Sequence, residues 1–204
     1  MSRNKIALIG SGNIGVRHLQ GLLKSQHILE IYIVDPNVNS LKNAKILFEK
    51  ISNSDLKHNV IYLKSIDKLP KKLHIVIIAT TSIIRRRITE ELLNSIRVVY
   101  LILEKIVFQN PKDFYSTQKL LLKNNTKAWI NCPQRTYPFY KKLRDKYFGE
   151  QLTLTAEGKN WGIACNAIHF IDLFVFLTGD IKLNFDLNQL DDIIYSSKRG
   201  GFVE

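Results

Sequence analysis

Apolar and polar residues alternate in blocks along the first two thirds of the chain. Short apolar runs, typical of buried parallel strands, cover residues 6–9, 31–34, 60–63, 74–78 and 98–103. Longer segments with apolar residues at helical spacing, such as residues 38–52 and 83–95, separate these runs. Strands that alternate with helices predict a Rossmann-type α/β fold, a doubly wound parallel sheet with helices on both faces.

The character of the chain changes near residue 132. The alternating pattern ends with a predicted helix over residues 113–124 and a predicted strand over residues 127–131. Three elements follow: an aromatic and basic helix over residues 136–148, a strand over residues 152–157 and a strongly apolar helix over residues 165–177 that Gly179 ends. We therefore predict two domains, a Rossmann-type domain over residues 1–131 and a second domain over residues 132–204.

A glycine-rich turn follows the first predicted strand. Residues 10–15 read G-S-G-N-I-G, and the second predicted strand ends on Asp35. This order of strand, glycine turn, helix, strand and acid is the dinucleotide-binding fingerprint in its expected context. Gly10 permits the tight turn, Gly12 lets the backbone approach a diphosphate, and Gly15 leaves room where the helix packs on the strand. The alternative is a glycine-rich turn in some other α/β protein.

The same segment indicates which dinucleotide is bound. The helix that begins at Asn13 and Ile14 presents free N–H groups and the positive end of its dipole, which suits a diphosphate. Asp35 would accept hydrogen bonds from the adenosine ribose hydroxyls, and its carboxylate would repel a 2′-phosphate. The sequence therefore favours NAD as the cofactor over NADP.

Polar residues follow two further strands of the predicted sheet. Ligands of such sheets bind at the carboxyl ends of the strands. We therefore expect Thr80 and Thr81, after the fourth strand, to join Glu104 and Lys105, after the fifth, in the cofactor site. For the nearby Arg85 two interpretations stay open, binding of a substrate anion or a solvated surface position.

Composition and charge narrow the class of protein. The chain of 204 residues has 45% apolar residues, enough for one core, and a net charge of +12. That charge could attract an anionic ligand, but the lysines are scattered and no nucleic-acid-binding motif accompanies residues 85–87, so we expect no nucleic-acid partner.

We also expect a cytoplasmic protein without a membrane partner or a metal site. Apolar runs are too short to cross a bilayer, no signal peptide precedes the first strand, and two cysteines make no disulfide framework.

Five separated motifs occur together in this chain. They are G-S-G-N-I-G-V-R-H at residues 10–18, A-T-T at residues 79–81, L-E-K at residues 103–105, N-C-P-Q-R-T-Y-P at residues 131–138 and A-I-H-F-I-D-L at residues 167–173. Together they resemble the glucose–fructose oxidoreductase / inositol dehydrogenase (Gfo/Idh/MocA) family. Members oxidise or reduce sugars, cyclitols and nucleotide-linked sugars, and pair a Rossmann domain with a domain built on a mostly antiparallel sheet. The resemblance implies that residues 132–204 form an incomplete α+β domain of this kind, C-terminally truncated relative to the family.

The resemblance also implies two catalytic residues. Lys105 matches the lysine of the family's Glu-Lys-Pro motif, which lies near the nicotinamide and the substrate hydroxyl, although Ile106 replaces the proline here. A cation there would stabilise a developing alkoxide. His169 matches the family histidine that acts as general acid/base, and an imidazole has a suitable pKa for this exchange. The alternatives are a surface lysine and a histidine satisfied inside the core.

Arg135 and Trp161 match positions that line the family's substrate pocket, and the alternative for either is a structural residue. Asp172, three residues after His169, could contact the substrate or orient the imidazole of His169. Cys165 stands where many members have an aspartate, and we expect it to be a buried apolar residue.

The sequence therefore predicts an NAD-dependent oxidoreductase acting on a sugar or nucleotide-sugar, with surface-glycan biosynthesis as the expected setting. A homo-oligomer that assembles through the C-terminal sheet is the expected assembly. The alternative is a non-catalytic NAD(H)-binding protein, either a sensor or an inactive truncated homologue.

Overall fold

A computed structural model describes residues 4–51, 58–159, 162–186, 188 and 192–196. The chain divides into two units, Met1–Asn131 and Cys132–Glu204. Each unit is described below by itself.

Six parallel strands form the centre of the first unit. They are β1 (Asn4–Ile9), β2 (Leu29–Val34), β3 (Asn59–Leu63), β4 (Lys72–Ile78), β5 (Arg97–Leu103) and β6 (Lys127–Ile130). Their order across the sheet is β3-β2-β1-β4-β5-β6, and every neighbouring pair is parallel. This is the strand order of the doubly wound dinucleotide-binding fold, so the predicted Rossmann-type sheet is confirmed.

Four helices connect these strands: α1 (Asn13–Leu23), α2 (Val38–Ile51), α3 (Ser82–Ser95) and α4 (Pro111–Lys123). All four were predicted, and for the three whose bounds were given, α2, α3 and α4, the observed ends lie within two residues of the prediction. The start of α4 shows why such boundaries can be predicted. Pro111 occupies the first turn, and the Asn110 side chain accepts a hydrogen bond from the Lys112 N–H, so both residues favour a helix start.

Both faces of the sheet are buried. Alternate residues of β1 join different clusters, because Leu8 packs with Leu19 of α1 on one face while Ala7 packs with Leu92 of α3 on the other. Helices α1 and α2 therefore cover one face, and α3 and α4 cover the opposite face. The chain leaves β1 and β4 in opposite directions across the sheet, which opens a crevice beyond their carboxyl ends.

The second unit is helical in its described part, with α5 (Pro138–Tyr147) and α6 (Ile163–Thr178). Helix α5 begins two residues later than predicted because residues 133–136 form a 3-10 turn and Pro138 occupies the first helical turn. Gly179 adopts a left-handed conformation with φ +80°, and it ends α6 as predicted. Although α6 is strongly apolar, no helix within the described ranges is long and apolar enough to cross a bilayer.

The strand predicted over residues 152–157 is not observed. Residues 151–158 are irregular, and Leu154 is partly exposed. An alternating pattern becomes a strand only where a neighbouring strand pairs with its backbone. The described residues of this unit supply an isolated bridge at Ser196 and no such neighbour, so the antiparallel sheet that the resemblance implies is not seen among them.

Candidate functional site

The glycine turn packs closely against its neighbours at the carboxyl end of β1. Gly10 has φ +93°, and its N–H donates a hydrogen bond to the carbonyl of Val34 at 2.8 Å. A Cβ at this position would lie 3.0 Å from backbone atoms of both Ala79 and Thr80. A Cβ on Gly15 would lie only 1.9 Å from the carbonyl oxygen of Gly10. Helix α1 can therefore start against the turn only because both positions are glycine.

The space beside the start of α1 is open. Gly12 is the N-cap of this helix, and a Cβ added to it would meet no atom within 4 Å. The first helical residues, Asn13 and Ile14, are exposed and half-buried respectively, and the first turn contains no acidic residue. Open space next to free N–H groups at the positive end of a helix fits a diphosphate.

Asp35 lies beside this turn, directly after β2. Its Oδ2 accepts hydrogen bonds from the backbone N–H of Ser11 at 2.7 Å and from the Ser11 hydroxyl at 3.1 Å. Its Oδ1 accepts a bond from the backbone N–H of Asn37 at 2.8 Å. The carboxylate is thus fixed at the edge of the glycine turn, the location of the ribose-binding acid in this fold.

Thr80 and Thr81 form the neighbouring loop after β4. Thr80 is half-buried, and its Oγ1 is buried without a hydrogen-bond partner within the described ranges. Thr81 is exposed and is the N-cap of α3. A buried hydroxyl without a partner is uncommon, and on a loop that packs against Gly10 of the glycine turn it is consistent with a polar ligand.

Glu104 is a buried acid at the carboxyl end of β5, 7% exposed. Its Oε1 lies 2.7 Å from Nε2 of His18 in α1 and accepts a hydrogen bond from the Asn131 amide at 2.5 Å. Burial acts to raise the pKa of Glu104, but these hydrogen bonds and the charges of His18 and Arg85 lower it below its ordinary value. The carboxylate that the sequence places near the cofactor thus ties its loop to α1 and to the end of β6.

Arg85 corrects both interpretations made from the sequence. The side chain is 2% exposed, so it is neither solvated nor available to a substrate anion. The guanidinium donates hydrogen bonds to four backbone carbonyls, those of Thr80, Glu104 (2.5 Å), Ile106 and Val107 (3.0 Å). Burial lowers the pKa of Arg85 to about 10, against the opposing charge of Glu104, and the group therefore stays a cation at neutral pH.

A signal for the burial of Arg85 was present in the sequence. Arg85 precedes Thr89 by four residues and Leu92 by seven, and all three lie on the buried face of α3. The role of His18 has a weaker signal, since the sequence contains it only as the last residue of the motif at residues 10–18. Its pairing with Glu104 joins residues that are distant in sequence, and spacing alone could not reveal it.

The first unit gathers the predicted cofactor residues at one edge of its sheet: Gly10, Gly12, Asn13, Ile14, Gly15, Asp35, Thr80, Thr81, Glu104 and Lys105. Lys105 itself is half-buried, and the peptide bond between it and Ile106 is cis. No group of three or more His, Cys, Asp and Glu side chains suited to a metal occurs in the part of the chain that the structure describes. This edge offers backbone donors, the fixed carboxylates of Asp35 and Glu104 and the cation of Lys105, a set that suits a dinucleotide.

In the second unit, two residues predicted to contact substrate bind each other. Arg135 Nε donates to Oδ2 of Asp172 at 2.9 Å, and Nη2 donates to Oδ1, so the ion pair is bidentate. The hydrogen bonds that Arg135 donates to Asp172 raise the pKa of Arg135. His169 is half-buried on α6, one turn after the buried Cys165. Trp161, the third residue predicted to contact substrate, lies outside the described residues.

Comparisons with known proteins define the class of fold. No protein-family profile matches the sequence, and no curated protein sequence matches it either. Solved structures do match in fold, and they include inositol and UDP-sugar dehydrogenases of the Gfo/Idh/MocA type. The Rossmann-type fold that the resemblance implies for the first unit is therefore confirmed.

Three of these solved structures show how similar the matching proteins are to this chain. Scyllo-inositol dehydrogenase from Lactobacillus casei, with bound NAD(H) and scyllo-inositol, is 18% identical with TM-score 0.63, over 87% of this chain and 57% of that one. UDP-N-acetylglucosamine 3-dehydrogenase GnnA from Acidithiobacillus ferrooxidans is 16% identical with TM-score 0.66, over 90% of this chain and 60% of that one. A super-repressor mutant of Gal80p from Saccharomyces cerevisiae is 13% identical with TM-score 0.61, over 87% of this chain and 53% of that one. This chain thus spans between 53% and 60% of the length of these structures.

Proposed function

We propose that this chain is an NAD-dependent oxidoreductase that acts on a sugar or nucleotide-sugar. The observation that carries the proposal is the open space next to Gly12 at the start of α1. The carboxylate of Asp35 is fixed beside this turn by the backbone N–H of Ser11. Two solved structures with this fold, a scyllo-inositol dehydrogenase with bound NAD(H) and a UDP-N-acetylglucosamine 3-dehydrogenase, support both the cofactor and the class of substrate. NAD, when bound, would supply the acceptor or donor of a hydride from a carbinol carbon.

The first unit contains the residues that would hold the cofactor. The N–H groups of the turn and of Asn13 and Ile14 bind the diphosphate, and Asp35 accepts hydrogen bonds from the ribose hydroxyls. The Asp35 carboxylate also repels a 2′-phosphate, so NAD is preferred to NADP. Thr80 supplies a hydroxyl on the neighbouring loop.

Two side chains carry the proposed chemistry. Lys105 stabilises the oxyanion that develops on the substrate, since a cation near that oxygen lowers the energy of the charged form. His169 exchanges the proton of the substrate hydroxyl, because an imidazole titrates near neutral pH. Arg135 and Asp172 would contact the sugar, and their ion pair holds both side chains in one geometry.

Calorimetric titration of the folded protein tests the cofactor assignment. We expect NADH to bind more tightly than NADPH, and we expect Asp35→Asn to narrow that preference because the substitution removes the repelling charge. Asp67→Asn, at an exposed acid of the same unit, is the matched control and should leave the preference unchanged. Absence of heat with both nucleotides would refute the proposal.

Turnover measurements test the catalytic assignment. With scyllo-inositol, UDP-N-acetylglucosamine and related sugars as candidate substrates, Lys105→Ala and His169→Ala should each lower kcat by about 10²-fold. Affinity for NADH should stay close to that of the wild type, since neither side chain grips the diphosphate. If both variants turn over as fast as the wild type, the catalytic roles are wrong.

A non-catalytic NAD(H)-binding protein, for example a sensor, is the second candidate. The observation that favours it is the shared fold with the repressor Gal80p. Such a protein would bind NADH tightly and show no turnover with any sugar of the panel. Turnover with any of these sugars would exclude the non-catalytic candidate. If the preferred substrate is a nucleotide-sugar, that preference would support a role of the oxidoreductase in surface-glycan biosynthesis.

A further inference from the structure

Arg85 has an environment that differs from that of the other arginines beside it. It is buried, and its cation is stabilised directly by four backbone carbonyl oxygens. Arg86 and Arg87 occupy the next two positions of α3, yet Arg86 binds the partly exposed side chains Glu90 and Ser116, and Arg87 is exposed. The same residue type on one helix therefore serves different purposes.

The four carbonyls belong to two loops of the candidate site. Thr80 lies in the loop after β4, and the other three acceptors, Glu104, Ile106 and Val107, lie in the loop after β5. Two of them immediately precede and follow Lys105. One planar guanidinium therefore fixes the backbone on both sides of Lys105 and sets its position relative to the neighbouring loop.

The surrounding charges complete this arrangement. Glu104 is the acid whose charge acts on the Arg85 guanidinium, and its own carboxylate is held by His18 and Asn131. The loop that carries Lys105 is thus anchored through its carbonyls to α3 and through the Glu104 side chain to α1 and the end of β6. A loop anchored from three elements has little freedom to reposition.

We infer that Arg85 is a positioning residue for Lys105: its guanidinium holds the two peptide carbonyls that flank Lys105, and so directs the lysine side chain toward the bound nicotinamide. The inference rests on the proposed function, in which Lys105 lies beside the cofactor. Small displacements of a catalytic group have large effects, which gives a positioning residue measurable consequences.

The test uses acetylation of Lys105 by acetic anhydride, measured by peptide mass spectrometry with and without NADH. The variants are Arg85→Met, which removes the donors, and Arg85→Lys, which keeps the charge but loses the planar fork. Arg87→Met and Arg87→Lys, at an exposed position of the same helix, are the matched controls. NADH is added at about ten times the dissociation constant measured for each protein, so that differences in affinity cancel.

We expect NADH to slow acetylation of Lys105 by about tenfold in the wild type and in both Arg87 variants. At this concentration about one tenth of the protein remains free of cofactor, and only this part reacts at the full rate. Protection should fall below about twofold in Arg85→Met and to about threefold in Arg85→Lys, because Lys105 no longer stays beside the nicotinamide. A role of Arg85 in stability alone would leave the protection tenfold.

The outcomes separate this inference from the proposed function. Tenfold protection in Arg85→Met overturns the positioning role, and if that variant does not fold, tenfold protection in Arg85→Lys does so. Absence of protection in the wild type, while NADH still binds, overturns the placement of Lys105 in the proposed function, and the inference falls with it.

Discussion

The two units of this protein are stabilised in different ways. In the first, a parallel sheet lies between two buried apolar clusters, and the polar groups at its edge are fixed by backbone atoms or by buried partners. In the second, the Arg135–Asp172 ion pair joins the 3-10 turn to α6, and the guanidinium of Arg144 joins α5 to α6. Its Nε donates a hydrogen bond to the Phe176 carbonyl at 2.8 Å, and the group lies 5.1 Å from the Phe176 ring. Large apolar side chains of this unit, such as Phe139, are exposed.

The difference shows what each half of the proposed chemistry depends on. The cofactor residues keep their positions as long as the sheet is intact, because the fold itself places the strand ends together. The groups proposed to contact substrate depend on a few pairs with partly exposed members, which contribute less free energy each. Substitutions in the first unit should therefore affect the whole unit, and those in the second should act locally.

Gly15→Ala should have the largest effect on the first unit. Its Cβ would lie 1.9 Å from the Gly10 carbonyl oxygen, so the start of α1 must move away from the turn. We expect the free energy of unfolding to fall by about 3 kcal/mol, measured by urea denaturation, with loss of NADH binding.

Two other glycines of the same region serve as controls for this prediction. Gly12→Ala has free space, so it should retain stability and lose NADH affinity only. Gly21→Ala, which also meets nothing within 4 Å, should stabilise the protein by about 0.5–1 kcal/mol as a helix-interior substitution. Equal stability of the Gly15 and Gly12 variants would contradict the packing described.

Glu104→Gln should have an intermediate effect that depends on pH. At neutral pH it removes the charge that faces Arg85 and weakens the contact with His18, at a cost of about 2 kcal/mol in unfolding free energy. Because folding lowers the pKa of Glu104, the ionised carboxylate stabilises the wild type above the unfolded pKa of about 4.3. That stability is lost as the pH falls through the lower folded pKa.

The measurement is urea denaturation of wild type and variant between neutral pH and the acid limit of folding. The stability difference between the two should shrink as the pH falls from about 4.3 through the lower folded pKa, since the wild-type carboxylate becomes protonated over that range. Glu90→Gln, at an exposed acid paired with Arg86, is the control and should change stability by about 0.5 kcal/mol or less. A pH-independent difference for Glu104→Gln would argue against the described carboxylate environment.

Asp172→Asn should have the smallest effect. It weakens a bidentate pair whose Arg135 side chain is 43% exposed, so we expect a loss of about 1 kcal/mol. Faster hydrogen exchange of the α6 amides, with unchanged exchange in β1 and β4, is the expected signature. Asp145→Asn, at an exposed acid of α5, should leave hydrogen exchange unchanged both in α6 and in the sheet. Accelerated exchange across both units would remove the contrast between them.

Most of the first unit could be predicted from the sequence because its signals are local. Each buried strand is a short apolar run, and the glycines of the first turn determine where α1 starts. The parallel order of the strands follows from their alternation with helices. The placement of Asp35 next to the turn follows from the same rule, since both lie at carboxyl ends of neighbouring strands.

The contacts that fix Lys105 could not be predicted in this way. They join Arg85 to backbone carbonyls of another loop and His18 to Glu104, and pairs so distant in sequence leave no periodic signal. The strand expected over residues 152–157 failed for a related reason, because a pattern of alternation specifies a face but supplies no pairing partner. Local patterns therefore determined the framework, and tertiary contacts determined the details of the site.

The pairing of β1 with β4 has a consequence for synthesis of the protein. Ile6 pairs with Ile75, so the two central strands can meet only after both intervening strands and both helices have been made. Long-range parallel pairing is slow because the connecting chain must be ordered first. On the ribosome, where the N-terminal part emerges first, we expect the glycine turn to acquire its neighbour Ala79 late, so that a nascent chain ending before β4 would not yet retain a dinucleotide.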